Sequence, residues 1–159
     1  MSERSGNEQS PWARAALAAS LLAVDPMGCG GAILRGAPGP ARDRWLALAR
    51  ELSPDGTPFR RVPPRIAEDR LLGGLDLSAT LRSGKRVAQK GLLAEAHGGF
   101  AVLAMAERVE PGIAAQIALA RETGEVVIAR EGVTARTPSR FALIALDEGL
   151  DDETVAAST

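Results

Sequence analysis

Aromatic side chains, cysteine and histidine are all scarce in this sequence. Its 159 residues include no tyrosine, one histidine and one cysteine, and aromatic residues make up 3% of the chain. The core must therefore be built mainly from aliphatic side chains, and a disulfide within the chain is excluded. The single cysteine, Cys29, is interpreted as a small buried residue rather than a nucleophile.

An excess of charge of one sign is also lacking, because 19 basic residues face 20 acidic ones and the formal net charge is −1. Such a balance gives no global field that would draw the chain onto nucleic acid or an anionic membrane. The longest apolar runs, such as 15–24, stay well below the roughly 20 residues that a membrane span requires. The first residues are polar and lack the layout of a signal peptide, so we expect a cytoplasmic protein.

The length favours one folded unit, since a domain usually takes about 100–200 residues. Residues 1–10 show no apolar period, and we expect them to be a disordered tail. The folded lobe is predicted to span residues 11–147. Residues 148–159 are acidic, and with Asp147 they are predicted to form a mobile, solvated tail rather than a metal site.

Helices and strands are predicted to alternate along the lobe. Ser10-Pro11 has the form of a helix start, and the predicted helices cover residues 12–24, 41–52, 78–81, 91–96 and 111–124. The predicted strands cover residues 32–34, 59–62, 100–105 and 141–146, and residues 125–129 and 133–137 are predicted to pair as a β-hairpin. Residues 71–77 and 83–85 are predicted to be loop or insertion.

The continuous apolar runs 32–34, 100–105 and 141–146 are typical of strands buried on both faces of a sheet. Strands that alternate with helices favour a mostly parallel sheet with helices on both sides. The sequence therefore predicts an α/β fold, to which the β-hairpin is an addition.

The loop between the first strand and the next helix has the outline of a phosphate-binding loop. The pattern G-x-x-x-x-G-K-[ST] aligns with 36–43, which keeps Gly36 and has Gly39 within the turn. Ala41 replaces the second glycine, Arg42 the lysine, and Asp43 the residue whose hydroxyl would hold magnesium. The Asp43 carboxylate would also repel the phosphates.

Two prolines weaken this loop further. Pro38 and Pro40 lack the N–H groups with which such a loop cradles an anion. The sequence G-A-P-G-P also fits an ordinary turn, since glycine and proline commonly join a strand to a helix. The strand and helix on either side favour the degenerate phosphate loop.

A second position to compare with an active ATPase lies at the end of the predicted strand 100–105. An ATPase would place Asp-Glu there, one carboxylate for magnesium and one to activate water. This chain has Ala104-Met105, which can do neither, and Glu107 lies two residues further on. Both residues also fit a plain core strand.

The remaining candidate residues have structural interpretations. His97, the only histidine, precedes two glycines and is interpreted as a helix-end residue rather than a metal ligand. Arg140 could face a neighbouring subunit, although an arginine beside a strand is more commonly exposed to solvent. No metal site is predicted.

Taken together, five stretches resemble the AAA+ proteins of the magnesium chelatase family. They are residues 36–43, Asp69-Arg70-Leu71-Leu72-Gly73-Gly74-Leu75-Asp76, Lys90-Gly91-Leu92-Leu93-Ala94-Glu95-Ala96, Glu131-Gly132-Val133-Thr134 and Pro138-Ser139-Arg140-Phe141. The order and spacing match the ATP-hydrolysing I subunit, but the active groups are replaced, as in the D-subunit branch of the family. The resemblance implies a P-loop NTPase-like (AAA+) lobe with a degenerate nucleotide site.

What the resemblance implies about function is a non-hydrolytic scaffold. Such a subunit docks onto a ring of I subunits, which use ATP and Mg²⁺ and drive the insertion of magnesium into protoporphyrin IX by the H subunit, for chlorophyll or bacteriochlorophyll synthesis. No cofactor of its own is expected for this chain. The sensor asparagine of the family is missing at Leu146-Asp147-Glu148. The helical lid, acidic linker and integrin-I domain of D subunits are absent from the sequence, so a fragment or truncated form is expected.

Two alternatives remain open. The chain could be a nucleotide-binding or weakly active P-loop ATPase that uses Arg42 in place of lysine. It could also be a fragment with no partner.

Overall fold

Four parallel strands form the central sheet of the computed structural model, which describes residues 10–130 and 133–149. The strands are β1 (Gly31–Arg35), β2 (Phe59–Val62), β5 (Phe100–Leu103) and β8 (Ala142–Asp147). Along the sheet the order is β1-β8-β5-β2, and all three neighbouring pairs are parallel. Because the strands are parallel, their carboxyl ends meet at one edge, which we call the carboxyl edge.

Seven α-helices connect and cover the strands in the described part of the chain. They are α1 (Pro11–Val24), α2 (Pro26–Cys29), α3 (Pro40–Leu52), α4 (Glu68–Leu72), α5 (Leu77–Ser83), α6 (Leu92–Glu95) and α7 (Pro111–Thr123). The predicted start of α1 is confirmed, because the Ser10 hydroxyl accepts a hydrogen bond from the Ala13 N–H. No helix in these described ranges is long and apolar enough to cross a membrane.

Aliphatic side chains fill a core on each face of the sheet. On one face α1 and α3 pack against β5 and β8, with Trp45, Phe100 and Ile144 buried among them. On the other face Leu93, Leu103 and Ile117, from α6, β5 and α7, form the second core. The predicted arrangement, a parallel sheet between two helical layers, is confirmed.

Two antiparallel β-pairs lie outside this sheet. The predicted hairpin is confirmed as β6 (Glu125–Arg130) paired with β7 (Val133–Pro138), and the family-like residues 131–132 lie outside the described ranges. The second pair, β3 (Gly73–Leu75) with β4 (Ala88–Lys90), brackets α5. The sequence predicted loop or insertion for residues 71–77, before a short helix at 78–81. The short helix is present as α5, but most of 71–77 is not loop, because Leu71 and Leu72 are helical and 73–75 form a strand.

The close packing of this insertion depends on a glycine. A Cβ on Gly91 would lie 2.3 Å from the Gly73 nitrogen and 2.4 Å from the Leu71 carbonyl oxygen. Both are backbone atoms, so a side chain at this position would force the backbone to shift.

Two predictions of burial were wrong. Strand β1 is one of the two edge strands of the sheet, and Ile33 at its centre is 68% exposed rather than buried on both faces. Cys29 is also exposed, because it ends the short helix α2 at the surface, where its thiol donates weakly to the Leu21 carbonyl. Strand β5, by contrast, is buried at all four residues.

Candidate functional site at the carboxyl edge of the sheet

The degenerate loop leaves the carboxyl edge as the sequence predicted, between the end of β1 and the start of α3. Gly36 has a φ of 141°, which favours glycine, and its N–H donates to the Asp147 carbonyl at 2.8 Å. Gly39 has an extended φ of 172°, and a Cβ there would meet nothing within 4 Å. Gly39 is therefore not required by the local packing of this loop.

The loop has lost part of its donor set for an anion. The Gly36 N–H is already bonded to β8, and Pro38 and Pro40 carry no N–H. Asp43 lies in the first turn of α3 with its side chain exposed, and its N–H bonds to the Gly39 carbonyl. The loop has kept its position in the fold, but four of its eight positions offer no N–H to an anion, and a carboxylate replaces the hydroxyl that would hold magnesium.

Arg42, at the position of the usual lysine, is committed to an ion pair within the chain. Its Nη1 donates to Glu148 Oε1 at 2.7 Å, and the two side chains are only 14% and 18% exposed. The Arg42 Nε is buried and has no hydrogen-bond partner among the described residues. The cation that would approach phosphates is therefore already neutralised by a carboxylate.

Further polar contacts tie the carboxyl edge together around this pair. The Glu148 N–H donates to Glu107 Oε2 at 3.0 Å, and Arg35 pairs with Asp147 at 3.1 Å. The Asp147 carboxylate also accepts from the Gly149 N–H. The prediction that Asp147 and Glu148 belong to a solvated acidic tail was wrong, because both side chains are largely buried in ion pairs. Residues 150–159 lie outside the described ranges.

At the end of β5 the structure places the two residues that replace Asp-Glu. Ala104 is 2% exposed, and its N–H bonds to the Val62 carbonyl of β2. Met105 has a φ of 46°, the one positive φ outside glycine in the described residues, and it caps a short 3-10 helix, Ala106–Arg108. Neither side chain can hold a metal ion or polarise water.

Beside the loop lies a mostly apolar cavity of about 450 Å³. Its lining includes Trp12 and Trp45 from α1 and α3, Ile33 from β1, and Ala37 and Arg42 from the loop region. Trp45 is fixed by a hydrogen bond from its indole N–H to the Ala15 carbonyl. The cavity offers apolar contact, with few donors for an anion.

The remaining candidates lie away from the loop. His97 follows α6, as predicted, and its Nδ1 accepts from the Arg140 N–H at 3.0 Å. The Arg140 side chain is exposed and lies against Gly124 at the end of α7. Within the described ranges, no group of three potential metal-ligating side chains is brought together.

The sequence reasoning missed the partner of Arg42. The sequence did contain a signal for this pair. Asp147-Glu148 stands at the carboxyl end of a predicted buried strand, and in a parallel sheet this end lies at the same edge as the end of the strand before the loop. Carboxylates at that position lie within reach of a cation at the start of α3. The acidic residues that follow in the sequence drew the interpretation towards a tail instead.

The sheet, the loop after β1 and the helix that follows define a P-loop NTPase-like α/β lobe of the AAA+ type. A solved structure described as the complex between subunits BchI and BchD of magnesium chelatase superposes on the chain with a TM-score of 0.63. The match covers 87% of this chain and 53% of that chain at 24% identity. The predicted fold is confirmed.

Sequence similarity is clearer still. The chain is 43% identical over 89% of its length to the magnesium-chelatase 60 kDa subunit of Cereibacter sphaeroides. It is 36% identical over 84% of its length to the 67 kDa subunit of Chlorobaculum parvum. The matches cover 22% and 21% of those proteins, so the chain spans about a fifth of the relatives. No family model matches the chain.

Proposed function

We propose that this chain acts as a non-hydrolytic AAA+ assembly subunit of magnesium chelatase, of the D type. It would support ATP-dependent insertion of Mg²⁺ into protoporphyrin IX in chlorophyll or bacteriochlorophyll synthesis, in the cytoplasm. Support comes from the similarity to the 60 and 67 kDa subunits over most of the chain. A BchI-type subunit and the porphyrin-binding H subunit are the proposed partners.

The observation that carries the non-hydrolytic part is the Arg42–Glu148 ion pair. In a phosphate loop the cation at this position must be free to meet the outer phosphates. Here it is largely buried and paired at 2.7 Å. With Ala104-Met105 at the end of β5, the chain also lacks both carboxylates that hydrolysis requires, and no hydrolytic step can be assigned to it.

A magnesium nucleotide therefore does not fit the residues present. Asp43 adds a carboxylate where a hydroxyl is needed, and the two loop prolines remove donors. The alternative, nucleotide binding through Arg42, would require Arg42 to exchange Glu148 for phosphate.

Assembly can be tested by mixing the purified full chain with the cognate BchI-type subunit, Mg²⁺ and ATP on a size-exclusion column. We expect the chain to co-elute with the BchI ring and to show no ATPase activity alone. Separate elution under all nucleotide conditions would contradict the assembly role. ATP hydrolysis by the chain alone would contradict the non-hydrolytic role.

Arg140 is the proposed contact with the neighbouring subunit. Its side chain is exposed at the start of β8, so a charge reversal there should leave the fold intact. We expect Arg140→Glu to weaken co-elution with BchI, and Arg61→Glu, which reverses an exposed arginine on β2, to leave it unchanged. Equal behaviour of the two variants would remove Arg140 from the interface.

A further inference from the structure

We propose that Glu148 is a built-in counter-anion that takes the place of a nucleotide phosphate at the degenerate loop. The chain would thereby tie the loop helix to the sheet without any ligand. This inference rests on the proposed function in one respect, namely that the loop of the wild-type chain does not grip a nucleotide. What is added to the proposed function is the role of the Glu148 carboxylate.

The Arg42–Glu148 pair lies where a phosphate loop would hold its anion. Arg42 lies in the first turn of α3, where the cation of a phosphate loop reaches towards an anion at the carboxyl edge. The anion that it meets is Glu148, which lies directly after β8 and 106 residues away in the chain. The pair therefore links the loop helix to a central strand, as a bound phosphate would.

Glu148 is held in place by contacts of its own backbone and of the residue before it. Its backbone N–H donates to Glu107 Oε2 at 3.0 Å, and the preceding residue, Asp147, is anchored to Arg35 at 3.1 Å. The Asp147 carbonyl also accepts the Gly36 N–H at 2.8 Å. The carboxylate is thus presented to Arg42 by contacts to β1, to the loop and to the 3-10 helix after β5.

The Arg42 guanidinium is only partly satisfied by hydrogen bonds to the described residues. One nitrogen, Nη1, meets Glu148, whereas the buried Nε has no partner among the described residues. A guanidinium presents several donors in a fixed fork, and an anion with several oxygens can engage more of them. Removing the Glu148 carboxylate should therefore leave a buried cation that accepts a soluble anion.

The charges facing Arg42 explain why the wild-type chain should not take that anion. Glu148, Glu107, Asp147 and the exposed Asp43 bring four carboxylates to this region, while Arg35 and Arg108 pair with Asp147 and Glu107. A polyanion entering the site would have to displace Glu148 and approach the other carboxylates. Repulsion between like charges in a poorly solvated place opposes this.

The experiment is an anion rescue of the full chain. Thermal unfolding is measured for the wild type, Glu148→Ala, Glu148→Gln and the double variant Arg42→Met/Glu148→Ala, each with and without millimolar inorganic pyrophosphate. We expect Glu148→Ala to melt about 5 °C or more below the wild type, because the cation loses its partner. Pyrophosphate should restore most of this loss, since it binds the folded state alone.

Control measurements show whether the change in melting temperature depends on the Arg42–Glu148 pair. The wild type should shift by less than about 1 °C with pyrophosphate, and the double variant should not respond, because it has no buried cation to rescue. Glu148→Gln keeps the shape but not the charge, so it serves if the alanine variant does not fold, and it should show the same rescue. Rescue of the double variant would show that the anion acts elsewhere and would overturn the inference.

The outcomes separate this inference from the proposed function. If neither Glu148 variant loses stability or responds to pyrophosphate, the counter-anion role is wrong, although the chain could still assemble with BchI. If the wild type itself binds pyrophosphate as tightly as Glu148→Ala, Glu148 does not occupy the anion position. Loss of co-elution with BchI, with the rescue intact, would instead contradict the assembly role alone.

Discussion

The interior of the sheet and its carboxyl edge are built from different chemistry. Every residue of β5 is buried, and Phe100 stacks on the half-buried Phe59 with their ring centroids 4.4 Å apart. At the carboxyl edge four charged side chains, Arg35, Arg42, Asp147 and Glu148, form two ion pairs, of which the first has an exposed arginine and the second is largely buried. The fold is stabilised mainly by the first region, because burial of apolar area is the dominant favourable term.

This difference explains how the phosphate loop could lose its chemistry while the lobe kept its shape. Replacing donors and carboxylates at the carboxyl edge by alanine, proline and methionine removes nothing from the two cores. A side chain in the interior cannot be exchanged so freely, since its neighbours are packed to the density of a crystal. The following predictions test the contrast, from the largest expected effect to the smallest.

Truncating the interior should cost most. Phe100 is fully buried, and we expect Phe100→Ala to lower the free energy of unfolding by about 3–5 kcal/mol, through lost burial and the cavity left behind. Urea denaturation followed by circular dichroism measures it. The matched control Leu52→Ala removes a side chain that is 47% exposed and should cost much less. Equal losses would refute the contrast.

The second largest loss of stability is expected from a side chain placed in the tight contact between Gly91 and Gly73. Gly91→Ala would place a Cβ 2.3 Å from the Gly73 nitrogen, and we expect a loss of about 3 kcal/mol by overpacking. Gly112→Ala, in α7, meets nothing within 4 Å and should gain about 0.5–1 kcal/mol from helix propensity. The same urea experiment compares the two. A neutral Gly91→Ala would show that β3 and α6 approach each other less closely than described.

A single buried hydrogen bond should have an intermediate effect. Ser139 is fully buried, and its hydroxyl donates to the Leu93 carbonyl at 2.8 Å. Ser139→Ala leaves that carbonyl without its donor, so we expect a loss of about 1–2 kcal/mol. Ser78→Ala, at an exposed position of α5, is the control and should change stability by less than about 0.5 kcal/mol.

An exposed pair at the carboxyl edge should matter least. The Arg35 side chain is 61% exposed, and we expect Arg35→Ala to cost less than about 1 kcal/mol, because solvent screens its pair with Asp147. The loss should shrink further when urea denaturation is repeated in high salt. A salt-independent loss of several kcal/mol would mean that this edge stabilises the fold as strongly as the interior does.

The elements that the sequence predicted well carry strong local signals. Ser10-Pro11 starts α1, and the apolar run 100–105 after Gly98-Gly99 contains β5, although the strand ends at Leu103 rather than at Met105. The three-residue strands β3 and β4 were missed because they are too short to show a period and their pairing joins residues far apart in the chain. The exposure of Ile33 was missed because it depends on the position of β1 as an outer strand of the sheet. The local pattern of apolar residues does not encode the order of the strands.

The candidate site divides in the same way. The losses at Ala41, Arg42, Asp43, Ala104 and Met105 could be seen in the sequence, since each departs from a fixed pattern at a fixed spacing. What fills their place could not be seen, because the Arg42–Glu148 pair spans 106 residues and depends on two strands lying side by side. Tertiary contacts of this kind require the fold to be known first.

The most direct test of the degenerate loop is a titration of the wild-type full chain with a fluorescent ATP analogue in the presence and absence of Mg²⁺. Arg42 is already paired with Glu148, and the two loop prolines offer no N–H to a phosphate. We therefore predict no saturable binding up to about millimolar nucleotide, and we expect Gly39→Asp to be indistinguishable from the wild type. Micromolar, magnesium-dependent binding that Gly39→Asp abolishes would contradict the account.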